Sequence, residues 1–211
     1  MQTGLDCILP EKIENGSQKS TACFKDTTQH QINGVSVFLK AITKISKVGS
    51  SLIDMSSNPK LEKRKASSIA FIEHRGPYDK VPWEEYIERL YNWAKEQKVM
   101  PGFYPMGIYH DNPEEVPAEQ CGSNIAITFK GGAAELKGIK IGKLPDMTVA
   151  SLSHKGPGSE FKNTYSKLSK WIKEKGYVVS GSPIEVYSKK PEVVNGVTIL
   201  YAKVMIPVKK R

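Results

Sequence analysis

Cysteine is scarce in this 211-residue sequence, and the common catalytic motifs are absent from it. The three cysteines, Cys7, Cys23 and Cys121, are odd in number and lack a Cys-x-x-Cys spacing, which indicates a reducing, cytoplasmic location and no zinc site. There is no phosphate-binding loop, no Gly-x-Ser-x-Gly elbow and no His-Glu-x-x-His helix. The sequence therefore predicts no metal and no cofactor.

Long hydrophobic runs and dense clusters of basic residues are lacking as well. No stretch approaches the roughly 18 apolar residues of a membrane helix, so the sequence predicts no association with a membrane. The formal net charge is +9, but the lysines and arginines are spread along the chain. We interpret them as a solvated surface and expect no direct binding to nucleic acid.

Composition divides the chain into an N-terminal extension, residues 1–58, and a folded domain, residues 59–211. The extension is polar and almost neutral, with six lysines against five acidic residues, and we expect part of it to be disordered. Met55 lies just before the folded part, and we expect it to be the natural start. One amphipathic helix is predicted within the extension from apolar residues at helical spacing, namely Val35, Phe38, Ile42, Ile45 and Leu52.

The folded domain alternates between helical and strand patterns. Residues 68–73, 106–109, 124–129, 147–153 and 198–208 are rich in β-forming residues and predict strands. Because helices are interspersed with antiparallel pairs, the pattern predicts an α+β fold. Two helices are predicted from buried stripes, which are Trp83, Ile87, Leu90 and Ala94 in the first and Phe161, Tyr165, Leu168 and Ile172 in the second.

An internal repeat relates the two halves of the domain. The segment from Tyr104 to Glu114 matches the segment from Ser182 to Glu192, and the same offset relates Trp93 to Trp171. The repeat predicts two strand-helix-strand-strand units, residues 59–135 and 136–211, that form one antiparallel-sheet domain with a central ligand cleft.

One carboxylate is the strongest candidate for that cleft. The segment Ser182–Tyr187 predicts a short strand, bounded by a turn at Gly181-Ser182-Pro183 and by Ser188–Pro191. Alternation along it places Glu185 and Tyr187 on one face. A covered glutamate needs water, a partner or a cationic ligand, because an unpaired buried charge is costly. The alternative is an exposed glutamate on the solvent side of the sheet. Gly107 occupies the equivalent position of the first unit, which favours a cleft with one charged and one open wall.

Aromatic residues supply the other candidates for the site. Tyr109 and Tyr187 are predicted to form its walls, because alternation aligns Tyr187 with Glu185 and the repeat places Tyr109 opposite. Loop aromatics predicted to form the mouth are Tyr78, Phe103 and Tyr104. Trp93 and Trp171 are weaker candidates, because a tryptophan on a helix stripe more often packs in the core.

Four motifs occur together in the order and spacing of a known family: Gly76-Pro77-Tyr78, Leu90 with Trp93, the run from Gly107 to Pro113, and Ile184-Glu185-Val186-Tyr187. As a set they resemble the GyrI-like small-molecule-binding domain, the effector-binding domain that also follows the DNA-binding part of AraC-type and MerR-type regulators. The resemblance covers residues 60–211. It implies a pseudo-twofold domain whose cleft accepts lipophilic, often cationic aromatic compounds, and it implies that Glu185 faces the ligand.

The sequence departs from this family in two ways. No DNA-binding domain precedes the repeat, which implies a stand-alone binder used for sensing or sequestration. Gly158 follows the second Gly-Pro where a tyrosine would complete the motif, so we expect one wall of the cleft to be less aromatic.

Two other functions stay open beside small-molecule binding. Some GyrI-like proteins are hydrolases that open the cyclopropane of reactive compounds, and the catalytic residues would then be Glu185, Tyr109 and Tyr187. The chain could instead bind DNA gyrase or a regulator, with residues 1–58 as the docking segment. Haem binding, suggested by the distantly similar SOUL fold, has no further support. Binding without catalysis is our prediction.

Overall fold

A computed structural model describes residues 58–211 of the protein. The predicted amphipathic helix of the extension and the predicted start at Met55 lie outside the described residues. The described part contains ten strands and two α-helices, which confirms the predicted α+β class. The helices are α1 (Trp83–Glu96) and α2 (Phe161–Glu174). The strands are β1 (Lys60–Arg64), β2 (Ser67–Arg75), β3 (Met100–Pro101), β4 (Met106–Tyr109), β5 (Gly122–Lys130), β6 (Lys140–Leu144), β7 (Met147–Gly156), β8 (Tyr177–Val179), β9 (Ile184–Val194) and β10 (Val197–Lys210).

Helix α1 begins, and helix α2 ends, where the local sequence favours it. Pro82 directly precedes α1, where its fixed φ angle suits the start of a helix. Gly176 follows α2 with a φ of +73°, a left-handed conformation that glycine adopts without strain. Within residues 58–211, neither helix has the length and apolar character needed to cross a bilayer. The predicted stripes are confirmed, since Leu90 and Leu168 are fully buried under their helices.

The strands form one antiparallel sheet in the order β1-β7-β10-β9-β4-β5-β2-β6, with β3 paired to β5 and β8 to β10. The two middle strands, β4 and β9, bring the halves of the domain together. Helix α1 packs on β2 and β5, and helix α2 packs on β7 and β10. One face of the β4–β9 pair therefore lies between the two helices.

Because side chains alternate along a strand, the two faces of β4 and β9 contact different parts of the structure. Met106, Ile108 and Ile184 point away from the helices into a hydrophobic core on the far side of the sheet. Gly107 and Glu185 alternate with them and consequently face the helices. Two further cores fill the space under α1 and under α2, and we call these the first and second helix-side cores.

The opening strands cross between the halves. β1 precedes β2 in the chain but pairs with β7, while β6 precedes β7 but pairs with β2. Each half is thus completed by a strand that the sequence alone assigns to the other half. The internal repeat itself stays a prediction.

The predicted end of strand β9 at Ser188–Pro191 is wrong. Strand β9 continues through these residues to Val194, and the chain reverses at Asn195 and Gly196, which both have positive φ angles. Two register shifts in the pairing of β9 with β10 leave extra residues on β9 near Pro191. A proline has no N–H to donate, and such a bulge is a place where a strand tolerates it.

Candidate functional site

Glu185 lies at the centre of the sheet, directly opposite Gly107 in the strand register. Its residue surface is only 6% exposed. The alternative of an exposed glutamate on the solvent side of the sheet is therefore wrong. The two positions that the repeat treats as equivalent are direct neighbours, because β4 and β9 pair antiparallel in the middle of the sheet.

Three tyrosine hydroxyls surround the Glu185 carboxylate, and we call these four residues the Glu185 cluster. Tyr187 donates to Oε2 at 2.6 Å, Tyr165 donates to Oε1 at 2.8 Å, and Tyr109 donates to Oε2 at 3.2 Å. The hydroxyls of Tyr109 and Tyr187 are 3.3 Å apart. Hydrogen bonds to an ionised acceptor are stronger than neutral ones, so the three phenols hold the carboxylate in place.

Burial has the largest effect on the ionisation of this cluster. It raises the pKa of Glu185, although the hydrogen bonds from Tyr187, Tyr165 and Tyr109 act in the opposite direction. Burial and then the charge of Glu185 raise the pKa of each tyrosine well above its usual value, so the phenols stay protonated and act as donors. Among the residues whose side chains the structure describes, 58–189 and 191–211, no lysine, arginine or histidine forms an ion pair with Glu185.

Aromatic rings border the cluster on the helix side of the sheet. The ring of Trp83, at the start of α1, packs edge to face against the ring of Tyr187, with 4.9 Å between the ring centroids. Tyr78 meets Tyr109 in the same way at 4.9 Å. The hydroxyl of Tyr78 donates to the backbone carbonyls of Asp111 and Gly122, which fixes this ring at the end of β4.

The wall over Gly107 is occupied, whereas the sequence predicted it to be open. A Cβ atom added at Gly107 would lie 2.8 Å from the hydroxyl oxygen of Tyr109 and 3.1 Å from the ring of Trp83. Real Cβ atoms essentially never lie within 3.0 Å of another atom, so a side chain at this position would force Tyr109 to shift. The absent side chain at Gly107 is what allows Tyr109 to lean back over its own strand and reach Glu185.

The structure brings together five of the residues predicted for the site, namely Glu185, Tyr187, Tyr109, Gly107 and Tyr78. The other four are placed differently. Trp93 is 2% exposed in the first helix-side core, where its indole donates to the carbonyl of Ala134, and Trp171 packs against the second. Phe103 is 57% exposed, and Tyr104 is half-buried on the same loop.

Sequence reasoning placed Tyr165 and Trp83 on helix stripes and missed their position at the site. Both are stripe residues that also pack in the helix-side cores. A signal for Tyr165 exists in the repeat. The 78-residue offset that relates Tyr109 to Tyr187 also relates Ile87 to Tyr165. The second unit therefore has a phenol at a stripe position where the first unit has an aliphatic side chain. In the same way, it has Glu185 where the first unit has Gly107.

Within the described range 58–211, no group of three or more His, Cys, Asp or Glu residues could hold a metal ion. Asp111, which follows β4, has a structural contact: its carboxylate accepts a hydrogen bond from the backbone N–H of Gly122 at 2.7 Å.

Solved structures with the same fold have low sequence identity to this chain. The C-terminal domain of EcmrR superposes with a TM-score of 0.61 at 18% identity, covering 73% of this chain and 98% of that domain. A hydrolase from Listeria innocua superposes with a TM-score of 0.56 at 12% identity, covering 74% and 94%. At these identities the likeness concerns the fold.

Sequence relatives are more similar. A DNA gyrase inhibitor of Erwinia billingiae is 30% identical over 131 residues, which cover 60% of this chain and 82% of that protein. An SPbeta prophage-derived transcriptional regulator of Bacillus subtilis is 27% identical over 119 residues, covering 55% and 78%. The model of the GyrI-like small molecule binding domain matches residues 57–209. Because that match spans most of the chain, the protein belongs to the GyrI-like small-molecule-binding domain family.

Proposed function

We propose that the Glu185 cluster binds hydrophobic cations that carry aromatic rings, for sensing or for sequestration. The observation that supports this most directly is a buried carboxylate that has three phenol donors and no ion pair with a cationic side chain among residues 58–189 and 191–211. A buried negative charge of this kind is stabilised by a cation that comes with the ligand.

The rings around the carboxylate select the kind of cation. A delocalised organic cation loses little on dehydration, and contact with an aromatic face contributes roughly 0.5 to 2 kcal/mol. Tyr187 and Tyr109 are aromatic residues in contact with Glu185, and Trp83 packs against the ring of Tyr187. A small, strongly hydrated metal ion or ammonium gains much less from these surroundings. The expected ligand is therefore lipophilic, aromatic and singly charged.

The net charge of +9 repels a cationic ligand only weakly. Charges further away than a Debye length of about 8 Å are largely screened at physiological salt. The Glu185 carboxylate acts at contact distance and under low exposure, where screening is weak. Removal of one partner from a dry charge pair costs about 2 to 5 kcal/mol, so the carboxylate has a large effect on affinity.

The test is a titration with the aromatic cation crystal violet, comparing the wild type with Glu185→Gln. We expect Glu185→Gln to weaken binding at least about tenfold, which corresponds to about 1.4 kcal/mol. Glu62→Gln is the matched control, because Glu62 lies in β1 on the far side of the sheet and pairs with Lys203. Equal affinity of the wild type and Glu185→Gln, or no saturable binding at all, would contradict the proposal.

Hydrolysis of a reactive compound is the second candidate function. It is favoured by the burial of Glu185, which raises the pKa of its carboxyl, because a carboxyl with a raised pKa is suited to act as a general acid or base. The phenols of Tyr109, Tyr165 and Tyr187 supply further polar groups at the same place. Mass spectrometry of a cyclopropane-containing compound, incubated with the wild type and with Glu185→Gln, separates the two functions. Recovery of all of the compound from the wild type argues for binding alone.

Binding to DNA gyrase is a third candidate, favoured by the 30% identical relative named DNA gyrase inhibitor. A supercoiling assay with purified gyrase tests it. Inhibition by the wild type that crystal violet does not relieve would indicate a protein surface separate from the Glu185 cluster.

A further inference from the structure

The two units of the domain differ strongly in charge. Residues 59–135 contain ten lysines and arginines against twelve acidic residues, whereas residues 136–211 contain fifteen against five. The two helices show the same contrast. Helix α1 has four glutamates and two basic residues, whereas α2 has four lysines and one glutamate. The positive net charge of the protein therefore comes mainly from the second unit.

Three lysines form a row on the outward side of α2. Lys167, Lys170 and Lys173 recur at every third position, which places them within about 120° around the helix axis. All three are exposed, on the side opposite the buried Leu168 and Ile172. At a rise of about 1.5 Å per residue, the row extends over about 9 Å.

The end of strand β10 extends this row. Lys210 pairs with Tyr177, which follows α2 closely, and the backbone N–H of Arg211 donates to the carbonyl of Gly176. The last residues of β10 therefore lie beside the end of the helix. We call the exposed lysines of the helix and of this junction the α2 lysine face, and they are Lys167, Lys170, Lys173, Lys175, Lys209 and Lys210.

Little negative charge balances this face. Among residues 58–189 and 191–211, the only ion pair of its lysines joins Lys170 to Glu174, at 3.9 Å and with both side chains more than half exposed. Exposed pairs of this kind contribute little to stability, because water and salt screen them. The face therefore keeps a surplus of positive charge that a negatively charged partner can neutralise.

The other exposed residues of α2 indicate which kind of anion fits this face. They are Lys162, Asn163, Ser166, Ser169 and Glu174, and none of them is apolar. The centre of a protein interface is usually apolar, and a helix that lies at a membrane surface buries an apolar side in the lipid. The apolar side of α2 is already buried in the second helix-side core. Interfaces with nucleic acid are more polar and more positively charged, and lysine, serine and asparagine donate to phosphate oxygens.

We propose that the α2 lysine face binds double-stranded DNA through its phosphates, without reading the base sequence. A duplex carries one negative charge per about 1.7 Å of its axis, so a row of lysines about 9 Å long faces several phosphates. These lysines are separated along the sequence, from which we expected no nucleic-acid binding, but the fold brings α2 and the end of β10 together. This binding does not depend on the proposed ligand site, because Tyr165 faces Glu185 from the buried side of α2.

The experiment measures the fluorescence anisotropy of a short labelled DNA duplex titrated with the protein, at KCl concentrations from about 50 to about 200 mM. The logarithm of the affinity should fall with the logarithm of the salt concentration with a slope of about −3 to −5, because each phosphate contact contributes about −0.9. A second duplex of unrelated sequence should give the same affinity and slope. Absence of saturable binding to either duplex, or a slope near zero, would overturn the proposal.

A triple variant that combines Lys167→Gln, Lys170→Gln and Lys173→Gln tests the position of the contact. Lysine and glutamine have similar helix propensities, so the helix itself should be preserved. We expect the slope to become less steep by about 3, which is about one unit per lysine. At about 50 mM KCl, the affinity for the duplex should fall at least about tenfold.

The matched control combines Lys80→Gln, Lys95→Gln and Lys130→Gln. These lysines are exposed residues of the first unit, and their replacement changes the net charge by the same amount. The affinity and the slope of this control should stay near the wild-type values. Equal losses in the two triple variants would show that only the net charge matters, which would overturn the proposal.

Two further measurements distinguish DNA binding from other causes. Urea unfolding should give the same free energy for both triple variants as for the wild type, because the replaced side chains are exposed. If the α2 triple variant does not fold, the three single variants serve instead, and each should reduce the steepness of the slope by about 1. Co-sedimentation with phosphatidylglycerol vesicles tests a lipid surface. Binding to these vesicles but to neither duplex would overturn the proposal and assign the face to an anionic membrane.

Discussion

The buried carboxylate of Glu185 predicts a specific pH dependence of stability that requires no ligand to measure. The perturbation is Glu185→Gln, which keeps the size of the side chain and an oxygen that accepts from the tyrosine hydroxyls, but removes the ionisable group. The quantity of interest is the free energy of unfolding of the wild type minus that of the variant, because titration of all other groups cancels in this difference.

The direction of the pKa shift of Glu185 determines whether this stability difference rises or falls with pH. Burial raises the pKa of Glu185 in the folded protein above its ordinary value of 4.5, and the three tyrosine bonds reduce but do not cancel this shift. The wild type is thus most stable, relative to the variant, when Glu185 is protonated below its unfolded pKa. It loses that stability as the pH rises through the folded pKa. Each unit between the two pKa values contributes about 1.4 kcal/mol.

The assay is urea unfolding followed by tryptophan fluorescence, from about pH 3 to about pH 8. Glu62→Gln gives the opposite sign, which makes it a demanding control. Burial acts to raise the pKa of Glu62, but hydrogen bonds from Lys203 and Lys60 outweigh it and lower the pKa. Its stabilisation is present above the unfolded pKa and is lost as the pH falls. A flat difference for Glu185→Gln, or one with the sign of Glu62→Gln, would refute the assignment of a destabilised carboxylate at the site.

Two predictions concern the scaffold. Leu168→Ala should lower the free energy of unfolding by about 2 to 5 kcal/mol, because Leu168 is fully buried under α2, whereas the exposed Lys167→Ala should change it by less than about 0.5 kcal/mol in the same urea titration. Gly196→Ala should cost about 1 to 2 kcal/mol, because Gly196 has a φ of +77° and a Cβ there would meet nothing within 4 Å, so only backbone strain contributes. Gly132→Ala, equally open but without a positive φ, should show no such cost, and an equal loss in both variants would contradict the strain argument.

Much of the secondary structure follows from local patterns. The stripe that contains Leu90 and the stripe that contains Leu168 predict α1 and α2 because a helix must turn one face toward a core. Strand β4 has the predicted bounds, Met106–Tyr109. The predicted end of strand β9 near Pro191 was wrong because proline usually marks the end of a strand. Whether a strand can instead accommodate a proline at a bulge depends on its pairing with the neighbouring strand, which the local sequence does not show.

The local sequence by itself determined which residues share a face. Alternation along β9 is a property of the extended backbone, so Glu185 and Tyr187 had to point the same way whatever the rest of the chain does. The contrast between Gly107 and Glu185 was also visible in the repeat. These facts were sufficient to select Glu185 as a candidate site residue.

Tertiary structure alone decided what surrounds that carboxylate. Glu185 contacts Tyr165 from α2 and lies near Trp83 from α1 only because the two helices pack on the same face of the sheet, one over each half, with the β4–β9 pair between them. Pairing across the sheet also places Gly107 beside Glu185, although 78 residues separate them in the chain. Such contacts depend on long-range packing and strand order, which local sequence periodicity does not reveal. They bury Glu185 and surround its carboxyl group with three tyrosine hydroxyls.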